Sequence, residues 1–295
     1  MKYSVAQESH QGGRNYNEDS LAIFQRDEYT LLIVADGLGG HAGGELASQT
    51  LIEAISESFR KATRQQLDSS ESFLSLSINY AHHMIHRRAV SKGFSVDSPK
   101  TTCVVCLIHN GVARWAHSGD SRFYILNNEE VVFVSEDHVS KRHPEDSNSP
   151  INRCVGGLEL PRPEISEPRE LESGDILVLA SDGAWHNFAP KDLTEYVNPE
   201  HPTLGLDNLL QKLEGRNRAP SDNLSMVLLY WGIHQLDMPN INEFLDEEAF
   251  VRTNHTESEE DDEEARIARE QFDIENLDNT INEIESFIAD IGEKI

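Results

Sequence analysis

Four aspartates and one arginine stand where they could do phosphate chemistry. Asp36 ends the apolar run Ile33-Val34-Ala35, and Asp120 follows Trp115-Ala116-His117-Ser118-Gly119. Asp182 follows Ile176 to Ser181, and Asp222, beside Asn223, precedes the apolar run Met226 to Trp231. A lone aspartate at a strand end ordinarily caps a turn. Four at one kind of position ask for more, because carboxylates gathered at sheet edges repel one another unless a divalent cation lies among them. A pair of such ions makes a hydroxide and holds both oxygens of an in-line displacement. Arg14 lies in a polar loop, Gln11 to Ser20, that also carries the adjacent pair Glu18-Asp19. Its guanidinium is a planar fork suited to a phosphate dianion. Together these residues point to phosphoester hydrolysis.

The turn after Asp36 is the densest of these stretches, with five glycines among the eight residues from Gly37 to Gly44. Glycine there permits a tight turn and close approach of the backbone. Taken alone, the turn serves equally well as a phosphate cradle, a metal-binding turn or a plain structural turn.

These residues need a scaffold, and the hydrophobic pattern predicts one. Residues 3–9, 21–24 and 29–35 read as strands, the last two forming a hairpin. Helical spacing then runs from about Glu45 to Thr63 and from about Ser70 to Lys92. The second helix carries His82, His83 and His86 on adjacent turns, which read as surface or satisfied histidines because no carboxylate or cysteine shares their face. Short β-branched strands are expected at 101–108, 112–117, 122–126, 131–134, 175–180 and 226–231, with further helices near 190–196 and 204–214. Strands, two long helices and more strands make an α+β protein with helices covering sheets.

Composition narrows the class. No apolar run reaches the length of a membrane span, and the first residues lack the apolar core of a secretory signal. The three cysteines form no disulfide framework. Cys103 and Cys106 fall on opposite faces of one strand, which argues against a redox or zinc site. The expectation is a soluble cytoplasmic protein. Its formal net charge of -27 repels nucleic acid and anionic membrane and favours basic partners or cations.

Seven stretches, in order, resemble the motif series of the metal-dependent protein phosphatases of the PP2C type. They are Arg14-Asn15-Tyr16-Asn17-Glu18-Asp19, Asp36-Gly37-Leu38-Gly39-Gly40-His41, Thr101-Thr102, Gly119-Asp120-Ser121-Arg122, Asp137-His138, Ser181-Asp182-Gly183 and Asp222-Asn223. The resemblance covers roughly residues 3–232 and implies a β-sandwich flanked by helix pairs, an α-β-β-α arrangement. It implies phosphoserine and phosphothreonine in proteins as substrates, with a binuclear manganese or magnesium centre. By matching motifs, Asp36 bridges both ions, the Gly37 carbonyl binds one, and Asp182 and Asp222 complete the other. Glu18 and Asp19 act through metal-bound waters, Arg14 holds the phosphate, and Asp120 with Asp182 serves a weaker third site. The implied nucleophile is the bridging water. Leu38 stands where many eukaryotic members carry a histidine, and His41 occupies the place of the histidine in bacterial members. It serves either proton transfer or the structure of the loop. All the matched carboxylates are present, which favours an active enzyme over a phosphatase-shaped binding module. The flap region after Asp137-His138 looks short, and its Lys141, Arg142 and His143 could meet an acidic phosphopeptide.

Beyond Trp231 the resemblance stops. The expected division is a phosphatase domain at 1–234, an acidic linker at 235–266 and an amphipathic helix at 267–295. From Gln235 to Ile295 there are 20 acidic and 4 basic residues. Ile267, Ile274, Ile281, Ile288 and Ile295 recur every seven residues, with Leu277, Ile284 and Ile291 at the offset positions. This heptad pattern allows docking on the catalytic domain, self-association or a coil with a basic partner. The tail is expected to bind a partner or regulate.

Overall fold

A computed structural model describes residues 3–38, 42–95, 98–127, 130–140, 150–186, 188–197, 201–216 and 221–232. His41, the basic run Lys141 to His143 and the whole acidic tail lie outside the described residues. In chain order the elements are β1 (Tyr3–His10), β2 (Ser20–Arg26), β3 (Tyr29–Ala35), β4 (Gly37–Leu38), α1 (Ala42–Lys61), α2 (Arg64–Asp68) and α3 (Ser70–Ser91). Then come β5 (Lys100–Thr101), β6 (Cys103–His109), β7 (Val112–Ser118), β8 (Arg122–Asn127), β9 (Glu130–Val134), β10 (Val155–Gly156), β11 (Glu164–Ile165) and β12 (Arg169–Glu170). The last are β13 (Ile176–Ala180), α4 (Asp182–Trp185), α5 (Pro190–Tyr196), α6 (Pro202–Arg216) and β14 (Leu224–Trp231).

Two antiparallel sheets face each other. One runs β1-β14-β13-β8-β9, and the other runs β11-β7-β6-β3-β2 with β12 also on β7. Side chains alternate across each strand, so β3 sends Leu32 and Val34 between the sheets while Leu31, Ile33 and Ala35 face outward under helices. The interior pairs Val104, Cys106 and Trp115 of one sheet with Phe123, Leu179 and Leu229 of the other. On the outer faces, α1, α2 and α3 cover one sheet through Leu51, Ile55 and Ile78, and α4, α5 and α6 cover the other through Leu206, Leu210 and Leu213. This is the expected four-layer α-β-β-α sandwich. Cys103 and Cys106 fall in different layers, as their spacing requires.

The difference from expectation lies in short elements: the two-residue strands, the four-residue α4 and the five-residue α2 between the two long helices. Position 102 separates β5 from β6, and β5 turns aside to form a small sheet in the order β10-β5-β4. Hydrophobic periodicity has nothing to register over two residues. Helix α3 matches its expected span, and its histidines are satisfied or at the surface as the sequence suggests: His82 and His86 are hydrogen-bonded and His83 is exposed. The His82 side chain is buried, and its Nδ1 accepts the Gly156 N–H at 3.2 Å. Burial, then the neighbouring His86 and His83, pushes its pKa down to about 4. The neutral ring is therefore a fixed acceptor that ties α3 to β10. No described helix is long and apolar enough to cross a membrane.

Candidate active site

Each candidate carboxylate leaves the sandwich at the same end. Asp36 sits between β3 and β4, Asp120 between β7 and β8, Asp182 at the start of α4 just after β13, and Asp222 just before β14. Antiparallel pairing joins these ends, since β8 lies beside β13 and β13 beside β14. The loop carrying Arg14, Glu18 and Asp19 spans β1 and β2, and so closes the same end.

Asp36 is the most tightly held. Its N–H donates to Thr102 Oγ1 at 2.9 Å. Its carbonyl accepts from Thr102 N–H at 2.8 Å and from Thr101 Oγ1 at 2.9 Å. Thr102 Oγ1 also bonds Ser121 Oγ at 2.7 Å, which joins this strand end to the Asp120 loop. Gly37 is a place where only glycine fits: a Cβ there would lie 2.4 Å from the Gly44 carbonyl carbon and 2.7 Å from Glu18 O. The turn and the Glu18 loop are thus in direct backbone contact, with Gly37 N–H donating to Glu18 O at 3.2 Å.

The carboxylates repel one another in poorly solvated surroundings. Asp36 keeps a partly exposed side chain, yet desolvation leads the causes that hold its pKa well above the usual range, followed by the charges of Asp19, Asp182, Asp120 and Asp222. Asp19 is buried and pushed up to about 7, by desolvation first, with Asp182 and Asp222 adding and hydroxyls opposing. One of those hydroxyls, Ser181 Oγ, donates to Asp19 Oδ2 at 2.8 Å. Asp120 rises to about 6 from desolvation and then Asp182. Asp182 is raised by burial and by Asp222. Asp120 Oδ1 is buried without a hydrogen-bond partner among the described residues, an acceptor that a cation would satisfy. Hard, mutually repelling oxygen donors of this kind suit magnesium or manganese.

Arg14 joins the cluster in a way the sequence did not announce. Its Nη2 donates to Asp222 Oδ2 at 2.7 Å, and Asp222 is the first cause raising its pKa. Just over half of the Arg14 side chain remains exposed. The Asp120 loop has its own brace. Trp185 Nε1 donates to Asp120 O at 2.9 Å, and Arg122 lies 3.3 Å over the Trp185 ring while bonding Asp137 with both arms, at 2.8 and 2.9 Å.

Asn223 is a positioning residue that sequence reasoning left without a role. Its Nδ2 donates to Gln11 O at 2.7 Å and Tyr16 O at 3.0 Å, and its Oδ1 accepts Glu18 N–H at 2.9 Å. One buried amide thus stitches the arginine loop to the start of β14. The adjacency of Asn223 to Asp222 was the available signal, but hydrogen-bonding partners some two hundred residues away leave no local pattern. Replacing Asn223 with alanine should cost about 3 kcal/mol through three lost bonds. That is a fall of roughly 6–12 °C in melting temperature, with a raised KM for phosphopeptide, measurable by thermal denaturation and initial rates.

A second group, His117, His138 and Glu164, brings its ligand atoms within 4.8 Å of one another. The two imidazoles are stacked with an interplanar angle of 11°, and Arg153 Nη1 stands 3.2 Å from His138 Nε2. Parallel rings do not converge their lone pairs and a guanidinium opposes a cation, so this group packs the Asp120 loop.

Comparison with known proteins agrees with this geometry. The family model described as protein phosphatase 2C matches residues 6–216. The serine/threonine phosphatase stp of Listeria innocua is 31% identical over 233 residues, covering 73% of this chain and 90% of that protein. Among solved structures, the serine/threonine phosphatase of S. agalactiae superposes with a TM-score of 0.68 at 22% identity, covering 78% of this chain and 99% of that one. The catalytic domain of the serine/threonine protein phosphatase PstP, in complex with two manganese ions, gives a TM-score of 0.63 at 26% identity, covering 77% of this chain and 97% of that one. The chain therefore belongs to the protein phosphatase 2C family, in its bacterial form, and is a metal-dependent protein serine/threonine phosphatase.

Proposed function

We propose that the chain hydrolyses phosphoserine and phosphothreonine monoesters in proteins, opposing a serine/threonine kinase, with two manganese or magnesium ions and a weaker third. The observation that carries this is the gathering of Asp19, Asp36, Asp120, Asp182 and Asp222, in which desolvation and neighbouring carboxylates raise the pKa values of the first four. In this assignment Asp36, the Gly37 carbonyl, Asp182 and Asp222 would hold the two ions directly. Glu18 and Asp19 would hold them through water, and Asp120 with Asp182 would hold the third. Bound there, divalent cations would screen the carboxylates and make water acidic enough to attack phosphorus at neutral pH.

The remaining work falls to the chain. Thr101 and Thr102 fix Asp36 from both sides of its peptide, so the carboxylate meets the reacting groups without reorganisation. Arg14, which here pairs with Asp222, presents a guanidinium suited to fork a phosphate dianion, and it would be free to do so if Asp222 held a cation. His41, outside the described residues, is assigned proton transfer to the leaving serine or threonine oxygen. The tail, also outside them, is assigned partner binding or regulation on its heptads and its acidic balance.

The test is direct. The full-length chain, stripped of metal, should release phosphate from a phosphothreonine peptide only when manganese or magnesium is restored. Full-rate hydrolysis in excess chelator overturns the proposal.

A further inference from the structure

Next to the carboxylate cluster, beyond the small sheet, residues 152–154, residues 156–162 and Lys100 wall a cavity of about 420 Å³. The wall is anchored. Val155 and Gly156 pair with Thr101 and Lys100, Gly156 N–H donates to His82 Nδ1, and the Gly157 carbonyl bonds the His86 ring. Gly156 and Gly157 both hold positive φ, +84° and +71°, a region that favours glycine. A Cβ on Gly157 would lie 3.1 Å from Lys100 Cε, so the lysine stem runs along this backbone.

Among the described residues, the lining sets Lys100, Arg153 and Arg162 against a single acid, Glu159. Arg153 is already engaged: its Nη1 lies 3.2 Å from His138 Nε2 and donates to Arg162 O at 3.4 Å. Among the described residues, the side chains of Lys100 and Arg162 have no ion-pair or hydrogen-bond partner. Lys100 and Cys154 both line the cavity, and the charge of Lys100 opposes the burial that raises the Cys154 thiol. Two uncommitted cations in one cavity stand out in a chain with a formal net charge of -27.

Their position relates them to the cluster. Gly37 of β4 pairs with Thr101 of β5, and Thr101 pairs with Val155 of β10. With strands about 4.8 Å apart, the wall begins roughly 5–10 Å from the Asp36 turn, the span of about two or three extended residues.

We propose that this cavity is a subsite for an anionic side chain of the phosphoprotein, a carboxylate or a second phosphate, two or three residues from the phosphoresidue being hydrolysed. This rests on the proposed hydrolysis and adds which phosphoproteins are preferred. A strongly acidic protein repels acidic substrates as a whole, and Lys100 with Arg162 reverses that field where the chain of the substrate passes.

The experiment measures binding apart from hydrolysis. Labelled peptides carry a non-hydrolysable phosphonate in place of phosphothreonine, with alanine, aspartate or phosphoserine two and three residues away on either side. Fluorescence anisotropy on the full-length chain with manganese should show both acidic sets binding about tenfold tighter than the alanine set. Lys100→Met with Arg162→Met should remove the preference and leave hydrolysis of p-nitrophenyl phosphate unchanged. Arg162→Glu should turn it toward lysine-flanked peptides, a reversal that misfolding cannot produce. Equal binding of acidic and alanine peptides by the unmodified chain, or a preference that survives the double substitution, overturns the proposal. A clear preference in a chain that hydrolyses nothing supports the subsite and counts against the proposed hydrolysis instead.

Discussion

Replacing Asp182 with alanine should lower manganese-dependent phosphate release from a phosphothreonine peptide by roughly 10²–10³-fold, the range for removing one preorganised group from charge stabilisation. Asp182 opens α4 immediately after β13, and the charges of Asp36, Asp120 and Asp19 all respond to it. The surrounding backbone is set largely by Gly183, where a Cβ would lie 2.1 Å from Asn223 O, and the backbone bond that the Asp182 carboxylate accepts from Gly183 is offset by its burial and the repulsion of Asp222. The variant should therefore fold, and without metal it should melt no lower than the unmodified chain. Activity within about tenfold of normal, or activity indifferent to manganese, would show that the carboxylates do not hold the working ions.

Asp36→Asn should separate stability from activity most sharply. It should abolish phosphate release, yet at pH 8 in chelator it should raise the melting temperature by roughly 2–8 °C, equivalent to about 1–2 kcal/mol of relieved repulsion. The pH dependence has a definite sign. Asp19, Asp36 and Asp120 have folded pKa values above the unfolded value near 3.8, reaching about 7 for Asp19 and about 6 for Asp120. The folded metal-free chain then binds more protons than the unfolded one. Their contribution favours folding fully below about pH 4 and is lost as pH rises through about 6 and 7. Manganese should restore it, adding about 2.7 kcal/mol at a hundred times its Kd, and should do so weakly in Asp36→Asn. A metal-free variant that melts below the unmodified chain at pH 8 would mean that Asp36 is held by favourable contacts and not by geometry against repulsion.

Much of this was legible in the sequence, for physical reasons that differ by element. The helical pattern placed α1 and α3 because each buries one face, and the continuous apolar run placed β3 because it buries both, with Leu31, Ile33 and Ala35 under helices and Leu32 and Val34 between the sheets. The aspartates were legible because strand ends at one edge of a sandwich are neighbours by topology. What could not be read was pairwise and distant. Asn223 reaches Gln11 and Tyr16, and Arg14 reaches Asp222, with no local periodicity to betray either. The cavity beside Lys100 was equally hidden, since β4, β5 and β10 are two residues each and their pairing rests on the glycine conformations at 156 and 157. His41, assigned from its place in a motif, stays an assignment of sequence alone.

The closing of the large sheet has a consequence for how the protein comes into being. The first strand of the chain, β1, is paired along its whole length with the last described strand, from Tyr3↔Trp231 to His10↔Leu224. Asp222 enters on that last strand, and Asn223 fastens the arginine loop only when it arrives. A chain emerging from the ribosome at about 5–20 residues per second therefore carries its opening strand unpaired for some ten seconds or longer. On the proposed assignment, the carboxylate cluster lacks Asp222 during that time and Arg14 lacks its anchored loop. Catalytic competence would then arrive in one late step, with the pairing of the last strand.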